Sequence, residues 1–198
     1  MKKMAVVLLD ETGSMTGQEE RVCKSMNEYA ASLPKKTRLA VFKFDSEHFT
    51  KFFSGRAKKW PGMREKDYTP GAMTPLYDTI SRAVAYAKRK SSRGDRVMVM
   101  IDTDGMENAS TDFNLARVSK LIKKCKKRGW EFLFMSSGLD AASAVAVGVT
   151  GKAMSVNTMS ASYGARGVAY THAANLTNSY LSTGKTARVD LSVVDEDE

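Results

Sequence analysis

The 198-residue sequence is short of the residues that staple, chelate or cross membranes: it has 2 cysteines, 2 histidines and 4 prolines. Cys23 and Cys125 stand far apart with no CxxC, so they read as reduced structural thiols rather than a disulfide framework or a zinc site. His48 and His172 are too widely separated in the pattern to suggest a catalytic dyad, and read as hairpin-turn and helix-face residues. No apolar run approaches the roughly 18 residues of a membrane span. The longest early run, residues 4–9, is too short for a signal-peptide core and no small-residue cleavage site follows it. The expectation is therefore a cytoplasmic protein. No Gly-x-Gly-x-x-Gly occurs. Ser182-Thr183-Gly184-Lys185-Thr186 resembles the end of a phosphate-binding loop, but Ser179 stands where that loop needs its first glycine, which argues against nucleotide hydrolysis.

What the sequence does have is an ordinary globular balance, 42% apolar and 27% charged, and a surplus of positive charge. Thirty-one Lys and Arg against 22 Asp and Glu give a net charge of +9. Residues 117–128 carry Arg117, Lys120, Lys123, Lys124, Lys126, Lys127 and Arg128 without one acid. A second basic stretch holds Arg56, Lys58, Lys59, Arg64 and Lys66 around Trp60. Asp190, Asp195, Glu196, Asp197 and Glu198 reverse the sign at the end. Such a balance suits nucleic acid, an acidic partner or solubility alone. The expected organisation is one domain over residues 1–184 and a flexible acidic tail over 185–198.

Strand and helix signals alternate, which predicts an α/β domain of three layers: a mostly parallel, Rossmann-like sheet with helices on both faces. Residues 4–9 are continuously apolar, as a strand buried on both faces should be. Residues 16–33 repeat apolar positions at helical spacing through Val22, Met26, Ala30 and Leu33, and Pro34 ends the helix. Residues 38–44 and 48–53 are separated by too few residues for a crossover, so they predict an antiparallel hairpin with one edge strand. Residues 54–73 form a long loop of the kind that is often functional. Thr74 and Pro75 are suited to N-cap and first helical turn of a helix facing inward through Leu76, Ile80, Val84 and Ala87. A strand over 97–101 runs into Asp102-Thr103-Asp104-Gly105. A helix over 112–128 faces inward through Leu115, Val118, Leu121, Ile122 and Cys125. Then follow a strand over 130–135, a short helix over 139–147, a weak strand over 152–156, and a helix over 164–182 with Val168, His172, Leu176 and Tyr180 on one side. The 12 methionines read as core filler.

Ligands of open parallel sheets bind at the carboxyl ends of the strands. If the 4–9 and 97–101 strands are neighbours, Asp10, Thr12, Ser14, Thr74 and Asp104 meet there. All five are hard oxygen donors, and no Cys or His joins them, which favours Mg²⁺ or Mn²⁺ over zinc or copper. Asp10-x-Thr12-x-Ser14, Thr74-Pro75-Leu76 and Thr103-Asp104-Gly105, in this order, resemble the metal-ion-dependent adhesion site of von Willebrand factor type A domains. The family's first motif is Asp-x-Ser-x-Ser; Thr12 keeps the hydroxyl. The resemblance covers residues 4–156 in element order. It implies that Ser14 and Thr12 ligate the metal directly, that Thr74, Asp10 and Asp104 do so directly or through water, and that a partner's Asp or Glu completes the coordination. The compact form and residues 136–142 are similar to bacterial and bacteriophage members.

The resemblance implies Mg²⁺-dependent protein–protein recognition without catalysis. Asp102 stands where the family has an apolar strand residue, and is expected as a carboxylate behind the ligands or facing a polar neighbour. Glu11 and Glu107 read as surface residues. Two alternatives compete. One is a metal-dependent nuclease or phosphoryl-transfer enzyme built on Asp102 and Asp104. Against it, three of the five candidate ligands are hydroxyls, no His or Lys is placed as a base, and Thr12 stands where haloacid-dehalogenase-type phosphatases need a second Asp. The other alternative is a nucleic-acid binder that uses the Arg117, Lys120, Lys124, Lys127 and Arg128 face, with Trp60 as a stacking surface. The strand over 49–53 is an uncovered edge on which a second copy can pair, so the oligomeric state stays open.

Overall fold

The computed structural model describes residues 1–104, 106–136, 157–160 and 166–185. Ten elements build it: β1 (Lys3–Asp10), α1 (Glu19–Ser32), β2 (Arg38–Phe44), β3 (Phe49–Arg56), α2 (Leu76–Lys90), β4 (Arg96–Asp102), α3 (Leu115–Lys126), β5 (Glu131–Ser136), β6 (Asn157–Ser160) and α4 (Arg166–Thr183). The strands form one sheet in the order β3-β2-β1-β4-β5-β6. All neighbours pair in parallel except β2 and β3, whose antiparallel register shifts between Val41 and Phe42. β1 therefore lies between β2 and β4, which brings the β1 and β4 carboxyl ends together as expected.

The pleat sends alternate residues of each strand into two separate cores. Ala5, Val7 and Leu9 of β1 with Met98 and Met100 of β4 pack under α1 and α4. Met4, Val6 and Leu8 with Val97, Val99 and Ile101 pack under α2 and α3. Central strands buried on both faces explain the unbroken apolar runs. No helix among the described residues is long and apolar enough to cross a membrane.

Four details differ from the sequence reading. α2 starts at Leu76 with Pro75 at the cap, and the Thr74 side chain does not cap it. Leu115 is exposed at the first turn of α3, before the buried stripe of Val118, Ile122 and Cys125 begins. On α4, Val168 is exposed, and Ala169, Tyr170, Ala173 and Thr177 join Leu176 and Tyr180 on the buried face. The small alanines let α4 approach α1, where Tyr29 meets Tyr170 edge-on with ring centres 6.3 Å apart and shares a 3.0 Å hydrogen bond with Thr177. The 57–73 segment is packed rather than loose. It contains two short 3-10 turns and buries Ala57, Met63 and Tyr68. Trp60 is half-buried against Phe52 and Phe53, and its indole N–H donates to Asn27 (2.8 Å). The expected helix over 139–147, the strand over 152–156, most of the 136–142 stretch and the tail from 186 onward lie outside the described residues. β6 is found at Asn157–Ser160.

Candidate metal centre

β1 ends on a carboxylate because Asp10 closes its apolar run, and Asp10 is completely buried. Its Oδ1 accepts the Thr12 N–H (2.8 Å), which folds the chain tightly into the 3-10 turn Gly13–Met15. Its Oδ2 accepts the Thr103 hydroxyl from the end of β4. Burial pushes the Asp10 carboxyl up to about 6, against the opposing hydrogen bonds from Thr103 and Thr12, and the Asp104 charge pushes the same way as burial.

The turn then projects two hydroxyls. Thr12 Oγ1 and Ser14 Oγ lie 3.2 Å apart, and Ser14 donates to Asp104 Oδ1 at 2.7 Å. The Gln18 amide donates to the other Asp104 oxygen (3.1 Å). Hydrogen bonds thus link Ser14 to both Thr12 and Asp104, while Asp10 holds the backbone of the same turn. The fifth candidate, Thr74, is buried beside this edge but its hydroxyl is not bonded to the other four. Its backbone is placed from both sides by Asn108, which accepts the Thr74 N–H (2.8 Å) and donates its own N–H to the Thr74 carbonyl (3.1 Å). The strap before it is stitched to the turn by Gly71 N–H to Glu11 O (2.7 Å) and Gly13 N–H to Ala72 O (3.1 Å). Ala72 holds a φ of 56°, a conformation L residues rarely adopt.

Asp102 faces a polar partner. Its Oδ1 accepts from Arg166 (2.6 Å) and its Oδ2 from the Tyr170 hydroxyl (2.5 Å), both on α4. The pair is buried, with Arg166 only 3% exposed. Its two oxygens are thereby committed under α4, whereas Asp104 bonds Ser14 and Gln18. The sequence reading missed Arg166 and Tyr170. Arg166 is the single Arg or Lys of α4, which was the available signal.

Glu11 and Glu107 are not the plain surface residues expected. Glu11 is 5% exposed, pairs with Lys43 at 2.8 Å and accepts the Thr69 N–H. Glu107 reaches the start of α2, accepting the Tyr77 N–H (2.8 Å) together with the Ala109 and Ser110 N–H groups of its own loop. Asp78 on α2 grips the same loop through the N–H groups of Thr111, Asp112 and Phe113. Burial works against the Asp78 charge, but these three donors outweigh it and hold the carboxyl below its usual value. The loop after β4 is therefore anchored to α2 by two carboxylates. This long-range capping left no mark in local spacing.

On α3, Arg117, Lys120 and Lys124 are exposed as expected, along with Lys127 and Arg128 just beyond the helix. Arg117 donates to the Asp112 carbonyl (3.0 Å), and the Arg128 guanidinium lies 5.7 Å from the Trp130 ring centre. Lys126 is half-buried, and burial lowers its pKa against the attraction of Glu131.

Among the described residues, no group of three or more His, Cys, Asp or Glu is placed to hold a metal ion. The converging donors are two carboxylates supplemented by hydroxyls.

No protein-family model and no curated protein matches the sequence. Solved structures do match, and several of them are von Willebrand factor type A domains. The VWA2 paralog of ArnB from Sulfolobus acidocaldarius aligns with a TM-score of 0.63 at 14% identity, over 87% of this chain and 45% of that one. The von Willebrand domain of the type V pilus tip protein Mfa5 from Porphyromonas gingivalis aligns at 0.65 and 12%, over 95% and 98%. The SpRpn10 VWA domain aligns at 0.64 and 10%, over 87% and 95%. This chain spans less than half of the first of these. It has the von Willebrand factor type A fold, with its mostly parallel Rossmann-like sheet; at such identities the likeness extends to fold alone.

Proposed function

We propose that this domain is a protein-recognition module that holds Mg²⁺ or Mn²⁺ at the Asp10, Thr12, Ser14, Thr74 and Asp104 edge and uses the ion to bind an Asp or Glu of a partner protein. The observation that carries this reading is the Ser14–Asp104 hydrogen bond across the β1 and β4 ends, with Thr12 beside it. Oxygens 2.7 and 3.2 Å apart bracket the roughly 2.9 Å that separates neighbouring ligands around an octahedral Mg²⁺ with metal–oxygen bonds of about 2.0–2.1 Å. The donor set is all oxygen, which suits these ions, and two carboxylates leave a divalent cation room to accept a third from outside. When bound, the ion supplies a Lewis-acidic contact for that carboxylate. The protein's own residues fix the turn (Asp10), present the hydroxyls (Thr12, Ser14) and hold the opposite wall (Asp104, oriented by Gln18).

A nuclease site is disfavoured because the Asp102 oxygens are occupied by Arg166 and Tyr170. The type A domains among the solved structures include one from a pilus tip protein, which accords with a recognition role. Isothermal titration with Mg²⁺ and Mn²⁺, comparing the protein with Ser14→Ala, tests the site. One-site binding that the variant loses, with no metal-dependent cleavage of DNA or RNA, is expected. Equal binding by the variant, or cleavage that depends on Asp102, would overturn the reading.

A further inference from the structure

The opposite end of the sheet carries a second candidate site. A groove of about 610 Å³ opens where β1 and β2 begin and β3 ends. Lys2, Lys3, Lys35, Lys36, Arg38 and Arg56 line it, and no carboxylate does. Strand pairing puts these charges there. Arg38 and Arg56 are directly opposed residues of the β2–β3 ladder, and Arg38 pairs on its other side with Met4, next to Lys3. Adjacent strands lie about 4.8 Å apart, so the cations form a short row across the sheet edge. Like charges directly opposite one another are unfavourable. Neither arginine has an ion pair or side-chain hydrogen bond among the described residues. The neighbouring acid, Asp95, is turned to the backbone N–H groups of Lys2 and Ser92. Thr37 beside Arg38 is completely buried, closed off from the groove, and its hydroxyl has no hydrogen-bond partner.

We propose that this groove binds the phosphate backbone of a nucleic-acid strand. A row of cations with planar Arg forks matches successive phosphates, which accept paired N–H donors. Six cations from three chain segments are more than one small anion needs. An acidic protein segment carries its carboxylates on flexible side chains, whereas a nucleic-acid strand repeats a phosphate at every unit of its backbone, which suits a row of cations. A lipid surface would call for several apolar anchors, and apart from Met1 the exposed large apolar side chains, Met73, Met106, Leu115 and Val168, lie outside the groove.

The test is fluorescence anisotropy of the full chain with labelled single-stranded RNA, single-stranded DNA and duplex DNA, in chelator and across a salt series. The chelator keeps the metal edge out of the readout. Arg38→Gln/Arg56→Gln is expected to weaken binding roughly tenfold and to flatten the slope of log affinity against log salt by about 1.4–1.8, the loss of two phosphate contacts. Circular dichroism on the variant confirms that it is folded. No binding by the unaltered protein would overturn the proposal. So would an unchanged slope in this variant, or a loss confined to Lys120→Gln/Lys124→Gln on α3. A poly-Glu peptide that competes as well as the oligonucleotides, or phosphatidylserine vesicles that bind in preference, would overturn the assignment to nucleic-acid phosphate.

Discussion

At the carboxyl ends of β1 and β4, nearly every polar group answers another. Asp10 is held by Thr12 and Thr103, Asp104 by Ser14 and Gln18, Asp102 by Arg166 and Tyr170, and the following loop by Glu107 and Asp78. At the amino ends of β1 and β2, six cations line one groove and none is answered by a lining carboxylate. The same sheet thus presents a cross-linked oxygen-donor edge and an uncompensated cationic edge. The first is built to hold side chains in fixed positions. The second stores like-charge repulsion that an anion relieves. Their stability should respond oppositely to mutation: removing Asp102 or Asp78 destabilises the first edge, whereas removing the Thr37 hydroxyl or the paired arginines stabilises the second.

The largest effect is expected at Asp102. Asp102→Ala leaves the Arg166 charge buried without its carboxylate, and breaking such a pair costs about 3–5 kcal/mol, read by urea denaturation. A loss under 1 kcal/mol would remove the sense of a tied edge. Asp78→Ala, which frees three backbone donors of the loop after β4, should cost about 2–3 kcal/mol. Its pH dependence has a definite sign. The folded-state carboxyl lies below its ordinary value of 3.8, so its contribution is present above that pH and is lost as pH falls through the lower, folded-state value. Acid denaturation of Asp78→Asn should accordingly be shallower there than that of the unaltered protein. At the other edge the sign reverses. Thr37→Val removes an unpartnered buried hydroxyl and should stabilise by about 1 kcal/mol, seen as a higher melting temperature. The smallest effect is that of Arg38→Gln/Arg56→Gln, a gain of about 0.2–1 kcal/mol at low salt that vanishes as salt is added. A loss of stability in either would erase the contrast between the edges.

The polar edge was the more legible of the two. Apolar runs such as residues 4–9 announce buried strands because both faces of a parallel sheet are covered. The short link between residues 44 and 49 allows only a hairpin. Neighbouring β1 and β4 then bring Asp10, Thr12, Ser14 and Asp104 together through short loops. What local spacing did not convey was long-range pairing. Arg166 answers Asp102 across 64 residues, and Glu107 caps a helix 30 residues earlier. Glu11 looked like a surface acid, yet Lys43 from the adjacent strand draws it inward. On α4 the expected Leu176 and Tyr180 are buried, but Ala169 and Ala173 rather than Val168 and His172 fill the first turns of that face, where small side chains allow close approach to α1. The cationic groove was scattered over three stretches of sequence, and only strand register sets Arg38 against Arg56.

The account rests most on the metal lying at one edge and not the other. Mn²⁺ titrated into ¹⁵N-labelled protein tests this directly, since the paramagnetic ion broadens amide signals within its neighbourhood. Broadening of amides in residues 10–16, 71–74 and 103–108, with those in 35–38 and 55–57 left sharp, is the predicted result. Unbroadened signals throughout, or broadening centred on any other part of the fold, would contradict it.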